Sequence, residues 1–307
     1  MPHNQPLKNS ELSVFPASGK LPYSLTNDYM FRAVLQENNN GLKHLIAALL
    51  DIPYKDISSC VIINPIILGE SFGSKTVIMD IRILLNNNRL INLEMQMGSL
   101  AFWPNRSLLY LCRLFSNLSK GADYDQILPS VHIGILPHPP FPGVDEFYSE
   151  YLMMNQKNLH VFTRNFSLRM LCLNQLENVS EEVCSSELYP WAKLFSATTW
   201  EEIHMLARNS ETIKNTAITM YQLSAEEKIR LQCEARERYE HDQASLIREG
   251  NKQGHKKGIE QATEQINKLA QLLHSDGRID DFFRSTTDHA FQQELLKEYH
   301  LLITDSE

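Results

Sequence analysis

The chain has few of the features that mark secreted, membrane-spanning or zinc-binding proteins. Its five cysteines are odd in number and scattered, without a CxxC pair or zinc-ligand spacing, so we expect reduced thiols in a reducing compartment. There is no run of about 18 uncharged apolar residues, which argues against a membrane span. The start of the chain lacks the basic and apolar stretches of a secretory signal. We therefore expect a cytoplasmic protein with no membrane segment.

Several common catalytic motifs are also missing. The eleven histidines form no HxH or HExxH pattern, and there is no GxSxG nucleophile motif. Residues 69–76 end in Ser-Lys-Thr rather than Gly-Lys-Thr and lack a strand-to-helix context, which argues against a Walker-type phosphate loop. His132 falls in an apolar run, and we interpret it as a core or edge residue of a strand.

The net charge of −8 does not exclude a nucleic-acid partner. Residues 22–175 contain 12 Lys+Arg and 12 Asp+Glu, so this region is neutral and the acidic excess lies mainly in the second half. A protein that binds nucleic acid at a local site needs basic residues only beside that site to meet phosphate, so an acidic chain can still have such a partner.

Hydrophobic patterning predicts an α/β domain followed by helices. A helix is predicted to begin at residues 26–28, capped by Thr26 or Asn27. The other predicted elements are helices over 41–50 and 104–120 and strands over 61–68, 76–85, 90–97, 131–136 and 167–173. We expect four segments: a polar leader (1–21), the α/β domain (22–180), a helical region (181–249), and a glycine-spaced helix with a small helical tail (250–307).

The predicted hairpin of residues 76–97 carries the most informative residues. Glu94 and Gln96 share one strand face because side chains alternate. If the Asn86-Asn87-Asn88 turn centres on Asn87, the residue numbers of opposed positions add up to 174. Asp80 then lies across from Glu94. Like charges at that distance repel, so two carboxylates in an apolar hairpin indicate a bound divalent cation such as Mg²⁺. The alternative is that Asp80 pairs with Arg82 or Arg89 and Glu94 is merely solvated.

The predicted helix after the hairpin has a polar stripe. Arg106, Tyr110, Arg113 and Asn117 are spaced to lie on one helix face. Arginine suits bidentate phosphate contact, and tyrosine can hydrogen-bond or stack on a base. Arg106, Tyr110 and Arg113 are therefore candidate substrate-binding residues, with a plain solvent-exposed face as the alternative.

Glycines recur every four residues near the C-terminus, at Gly250, Gly254 and Gly258. On a helix they would line one face and permit close approach of a second helix. We hypothesise a helix for self-association, giving a homo-oligomer through the C-terminal helices, or for holding DNA. A flexible charged linker is the alternative.

Several segments in one order resemble the Rpn family of recombination-promoting nucleases, transposase-type members of the PD-(D/E)XK nuclease superfamily. The resemblance covers most of the chain, including the glycine pattern and the helical tail, and is strongest over residues 25–136. The segments that carry it are Asn27-Asp28-x-x-Phe31, Met79-Asp80 followed by Asn92-x-Glu94-Met95-Gln96, Arg106-x-x-x-Tyr110, Gly121-x-x-Tyr124, and the strand at 131–136.

The resemblance implies a restriction-endonuclease-like αβββαβ core and hydrolysis of DNA phosphodiesters with Mg²⁺ or Mn²⁺, linked to recombination or mobile elements. Asp80 and Glu94 would bind the metal, and Asp28 would be an accessory acidic group near it. Gln96 would occupy the position of the superfamily's usual lysine. Arg106 and Tyr110 would steady the substrate.

Two positions depart from the superfamily pattern. Met79 replaces the proline before the aspartate, which changes little because the carboxylate binds the metal. Gln96 cannot carry the positive charge of a lysine, although it can still orient water. A non-catalytic DNA-binding or protein-interaction module on a degenerate nuclease fold is the alternative function, and action on RNA stays open.

Overall fold

The computed structural model describes residues 14–64 and 80–302. The predicted strand segments 65–68 and 76–79, together with Met79, lie outside the described residues. The chain divides into two compact units, residues 1–240 and residues 241–307.

Two helices open the first unit, as predicted. Helix α1 (Asp28–Glu37) begins after Asn27, whose side-chain oxygen accepts a hydrogen bond from the Met30 amide at 3.1 Å. Helix α2 (Asn39–Leu50) begins two residues earlier than predicted because Asn38 caps it through the Gly41 amide at 2.8 Å.

A six-stranded sheet forms the centre of the first unit. Its order is β1-β2-β3-β4-β6-β5; strands β3, β4 and β6 are parallel and the other pairs are antiparallel. The strands are β1 (Cys60–Ile62), β2 (Ile81–Leu85), β3 (Arg89–Met95), β4 (Ser130–Leu136), β5 (Tyr148–Met154) and β6 (Val161–Cys172). The mixed α/β fold predicted from the sequence is confirmed, with one strand more than expected.

Strand β5 was missed, and β6 was predicted too short. β5 is an edge strand, and four of its seven residues are exposed, on both faces of the strand. Its sequence therefore lacks the apolar alternation that marks a half-buried strand. The first residues of β6 are paired with this edge strand and share its exposure.

The two faces of the sheet differ in chemistry. On β2, β3 and β4 one face is apolar and buried with α1 and α2 in the main core. The opposite face carries polar side chains and is covered by helix α3 (Trp103–Phe115). α3 ends five residues earlier than predicted because the Asn117 amide donates to the carbonyl oxygens of Leu114 and Phe115. The polar side chains on this face therefore lie between the sheet and α3.

Gly134 allows α3 to lie close to this face. It pairs with Glu94 in the parallel β3–β4 register. A Cβ added to Gly134 would lie 2.3 Å from Cζ2 of Trp103, which is 1% exposed at the start of α3. The absence of a side chain thus sets the height at which α3 crosses the sheet.

Helices complete the first unit. Phe15, in the segment before α1, is buried and stacks on His204 with ring centroids 4.3 Å apart. The helices are α4 (Glu181–Cys184), α5 (Leu188–Ser196), α6 (Trp200–Ala207), α7 (Glu211–Ala225) and the first part of α8 (Glu227–Ser275).

The second unit contains the rest of α8 with α9 (Ile279–Ser285) and α10 (His289–Glu298). Its small core consists of Leu269, Leu273, Leu295 and Leu296. The three spaced glycines lie inside α8, so the helical interpretation of that segment is confirmed over the linker alternative. Among the described residues, no helix is long and apolar enough to cross a membrane.

Candidate active site

The β2–β3 hairpin has the register predicted from its asparagine turn. All five pairs, from Ile81 with Leu93 to Leu85 with Arg89, sum to 174. Asn86 and Asn87 adopt left-handed angles, with φ of 50° and 57°, which asparagine tolerates better than most residues. If the register continued for one more residue beyond β2, Asp80 would lie opposite Glu94.

Asp80 is fixed by its backbone as well as by its strand. Its carbonyl oxygen accepts hydrogen bonds from the buried Arg32 guanidinium of α1 and, at 3.1 Å, from the Asn64 amide. The side chain is 5% exposed, and Oδ2 lies 3.5 Å from Nε of Arg82. Oδ1 is buried and has no hydrogen-bond partner within the described part of the chain.

Glu94 is half-buried, with its side chain 12% exposed, and it contacts an arginine of α3. Its Oε1 accepts a hydrogen bond from Nη2 of Arg106 at 2.9 Å, and the same nitrogen donates to Oε1 of Gln96 at 2.5 Å. Burial raises the pKa of the Glu94 carboxyl; Arg106 opposes the rise, while the charges of Asp80 and Asp28 add to it. The carboxylates therefore influence one another electrostatically.

These contacts decide between the two interpretations of the hairpin carboxylates only in part. Arg82 does lie near Asp80, as the alternative required. Glu94 is not solvated, because its side chain is only 12% exposed. Both carboxylates are thus largely removed from solvent, and each keeps one oxygen without a hydrogen bond among the described residues.

Asp28 reaches the same region from the first turn of α1. It is 4% exposed and is held by Arg236 of α8 through two contacts, Nε to Oδ1 at 2.8 Å and Nη2 to Oδ2 at 2.6 Å. Burial raises the pKa of the Asp28 carboxyl, and the Arg236 guanidinium counteracts the rise. The negative charge of Asp28 is also one of the causes that raise the pKa of the Glu94 carboxyl.

A family model described as PD-(D/E)XK nuclease family transposase matches residues 25–250. This range is well over half of the chain and includes every site residue named so far, from Asp28 to Arg236. The chain belongs to this family. No curated protein and no solved structure is similar enough to the chain to give a match.

In this PD-(D/E)XK family member the polar stripe of α3 faces a cavity beside Asp80. The cavity has a volume of about 250 Å³. Of the predicted substrate-binding residues, Tyr110 and Arg113 line it, whereas Arg106 turns to Glu94 and Gln96. The other lining residues are Ile63, Asp80, Arg82, Leu90, Asn92, Leu114 and Asn117.

Four residues at the site were given no functional role from the sequence. Arg32 and Arg236 hold Asp80 and Asp28 from distant parts of the chain. His132 and Asn92 are neighbours across β3 and β4, with Nδ2 of Asn92 3.0 Å from Nδ1 of His132. We predicted His132 to be a core or edge residue, and it is fully buried, but its Nε2 faces Oε2 of Glu94 at 3.6 Å. Burial and the Arg106 charge lower the pKa of His132 to about 3.

The donors present fit the divalent metal that the family usually requires. The unpartnered Oδ1 of Asp80 and the carboxylate of Glu94 offer hard oxygen ligands in a setting largely removed from solvent. Within residues 14–64 and 80–302, no group of three or more His, Cys, Asp or Glu side chains could hold a metal. Two carboxylates suit Mg²⁺, which keeps several waters and takes further oxygens from the substrate.

Proposed function

We propose that this protein is a cytoplasmic, metal-dependent endonuclease that hydrolyses DNA phosphodiester bonds in recombination or the movement of mobile elements. The observation that carries the proposal is a pair of carboxylates largely removed from solvent, Asp80 directly before β2 and Glu94 in the neighbouring strand β3. Two acidic groups buried side by side repel one another, and a cation between them converts that repulsion into binding.

Each residue of the site has a distinct task in this proposal. Asp80 and Glu94 bind Mg²⁺ or Mn²⁺, and Asp28 adds negative charge nearby. The cation, when bound, supplies Lewis acidity to the phosphoryl group. Gln96 orients the attacking water through its amide.

The basic side of the site serves the substrate. Arg106 and Arg113 contact DNA phosphates, for which the planar guanidinium is suited. Tyr110 lines the same cavity as Arg113 and is placed to contact a sugar or a base. These groups flank the carboxylates on α3, so a local positive charge meets DNA although the chain as a whole is acidic.

Plasmid cleavage by the purified full-length protein tests the function. We expect nicking or linearisation with Mg²⁺ and with Mn²⁺, and none when EDTA removes the metal. Binding of DNA without cleavage in either metal would contradict the proposed nuclease activity and would favour a non-catalytic DNA-binding module. Cleavage of RNA in preference to DNA would change the substrate.

Arg106 is expected to compete with the metal. Its Nη2 touches both Glu94 and Gln96, so a positive charge already lies where a cation would bind. Arg106→Gln should therefore tighten Mn²⁺ binding roughly fivefold, which corresponds to about 1 kcal/mol for a partly exposed charge. Cleavage should nevertheless fall by about 10- to 100-fold because a phosphate contact is lost. Calorimetric titration and initial rates measure the two effects.

Arg113→Gln is the matched control for this prediction. It removes the same charge two turns further along α3, so Mn²⁺ affinity should change much less than in Arg106→Gln. Weaker metal binding in Arg106→Gln would contradict the competition and would make the arginine an aid to the metal site.

We further propose that the C-terminal helices mediate self-association. Residues 246–264 of α8 are exposed on every side, although they include three glycines that disfavour an isolated helix by about 1 kcal/mol each. A second copy packed on the glycine face would supply the missing contacts. Deleting residues 241–307 should lower the mass measured by light scattering to that of a monomer, and an unchanged oligomeric state would contradict this role.

A further inference from the structure

A buried polar pair lies directly behind Glu94 on the sheet face covered by α3. Asn92 is 2% exposed and His132 is 0% exposed, and they are partners in the β3–β4 register. Burying polar side chains lowers stability unless they form hydrogen bonds, so apolar residues would suit these positions better for packing alone. The pair therefore has a task other than filling the core.

The hydrogen bond between the two side chains determines where the ring carries its hydrogen. The amide nitrogen of Asn92 donates to Nδ1 of His132 at 3.0 Å, which leaves the hydrogen of the neutral ring on Nε2. The opposite orientation of the amide would put a bare Nε2 lone pair against the carboxylate oxygen of Glu94, which is repulsive. Nε2 thus presents an N–H group to Glu94.

The two atoms that face each other here are both unsatisfied. Nε2 of His132 and Oε2 of Glu94 are 3.6 Å apart, and neither has a hydrogen-bond partner among the residues that the structure describes. The distance is slightly longer than a hydrogen bond, and a small rotation of the carboxylate closes it. Tyr110 meets the imidazole edge-on at 6.2 Å and Trp103 flanks it at 6.0 Å, so the ring itself is held in place.

We propose that His132, anchored by Asn92, is a positioning residue for the metal-binding carboxylate: its Nε2–H donates to Oε2 of Glu94 and turns Oε1 toward the cation. This inference rests on the proposed function. In the structure, Oε1 accepts a hydrogen bond from Arg106. Once Arg106 moves to the substrate, His132 supplies the fixed contact that keeps the carboxylate plane aligned. Outer contacts of this kind commonly change metal affinity by about 10- to 100-fold.

Mn²⁺ binding to the full-length protein without DNA tests the proposal independently of cleavage. Electron paramagnetic resonance measures the free ion during a titration. His132→Leu should weaken Mn²⁺ binding by about 10- to 100-fold. His132→Gln, whose amide reaches roughly the place of Nε2, should recover most of the affinity. His132→Asn, whose amide stops at the place of Nδ1, should not.

The comparison of the glutamine and asparagine variants decides the question even if His132→Leu fails to fold, because both are polar and similar in size. His204→Leu is the control for a general loss of stability. His204, on α6, stacks on Phe15, so this substitution should leave Mn²⁺ affinity unchanged. Equal affinity in the glutamine and asparagine variants would overturn the positioning role, with the metal site itself intact. A wild-type protein that binds no Mn²⁺ would overturn the proposed function as well.

Pulsed spectra of the bound Mn²⁺ separate this role from direct ligation. A positioning residue lies behind the carboxylate, so we expect no strong ¹⁴N coupling to the ion. A strong coupling that disappears in His132→Gln would show that the imidazole binds the metal itself, and it would overturn the proposal.

Discussion

Asp80→Asn and Glu94→Gln are each expected to lower the rate of Mg²⁺-dependent DNA cleavage by at least about 1000-fold. Losing the charge stabilisation of a bound cation raises the barrier by several kcal/mol, and about 4 kcal/mol corresponds to that factor. Both substitutions keep the shape of the side chain, so the β2–β3 hairpin should keep its register. Initial rates of plasmid nicking at saturating Mg²⁺ measure the effect.

Folding should not suffer from either substitution. Each one removes a charge from a buried pair whose members repel, as the effect of Asp80 on the pKa of Glu94 indicates. We therefore expect unfolding temperatures equal to or above that of the wild type. Asp125→Asn is the matched control, because Asp125 is exposed beyond α3 and its loss should leave the cleavage rate unchanged. A rate above a tenth of the wild type in both site variants would contradict the proposed metal ligands.

The hairpin shows how far sequence reasoning reaches in this fold. Strand alternation and the three asparagines were enough to fix the register that brings Asp80 to the height of Glu94, because both signals are local. The position of Arg106 on the polar stripe of α3 also followed from helical spacing. The structure adds that Arg106 turns to Glu94 and Gln96 instead of lining the cavity with Tyr110.

The residues that hold the site from a distance could not be predicted in the same way. Asp28 and Arg236 are 208 positions apart in the chain, and the single sequence contains no signal that joins them. Arg32 acts on a backbone carbonyl, which every residue has, so its partner is invisible in the sequence. The apolar neighbours of His132 predicted a core or edge residue, and His132 is buried. Its place opposite Asn92 depends on the parallel register of β3 and β4, which are connected through helix α3.

The edge strand β5 was not predicted from the sequence for a different physical reason. Strand β5 is exposed along most of its length, so hydrophobic alternation, which records burial on one face, is missing there. β5 is held by backbone hydrogen bonds to β6, and this pairing leaves no pattern in its side chains. Sequence patterning thus identified the strands that carry the candidate site, because those strands are buried. It did not identify β5, which lies furthest from the site in the order of the sheet.

Arg236→Leu is expected to lower the free energy of unfolding of the first unit by roughly 3 kcal/mol. The substitution leaves the carboxylate of Asp28, which is 4% exposed, without its bidentate partner. Removing one member of a buried ion pair typically costs about 3–5 kcal/mol of stability. The Arg236 side chain is 25% exposed and so is partly screened by solvent, which puts the expected cost at the lower end of that range. Urea unfolding followed by tryptophan fluorescence reports on this unit alone, because all three tryptophans, Trp103, Trp191 and Trp200, are buried in it.

Asp28→Asn combined with Arg236→Leu separates the ion pair from the packing of the arginine side chain. The double variant has no buried charge left, so it should recover much of the stability lost in Arg236→Leu. The loss in the single variant should also shrink as the pH falls. Burial raises the pKa of Asp28 above its usual value, so the folded state takes up a proton before the unfolded state does, and acid favours folding at this position. Arg238→Leu, an exposed change on the same helix, should alter stability by no more than about 0.5 kcal/mol. If Arg236→Leu and Arg238→Leu behave alike at neutral pH, then α8 does not hold the accessory acid of the site.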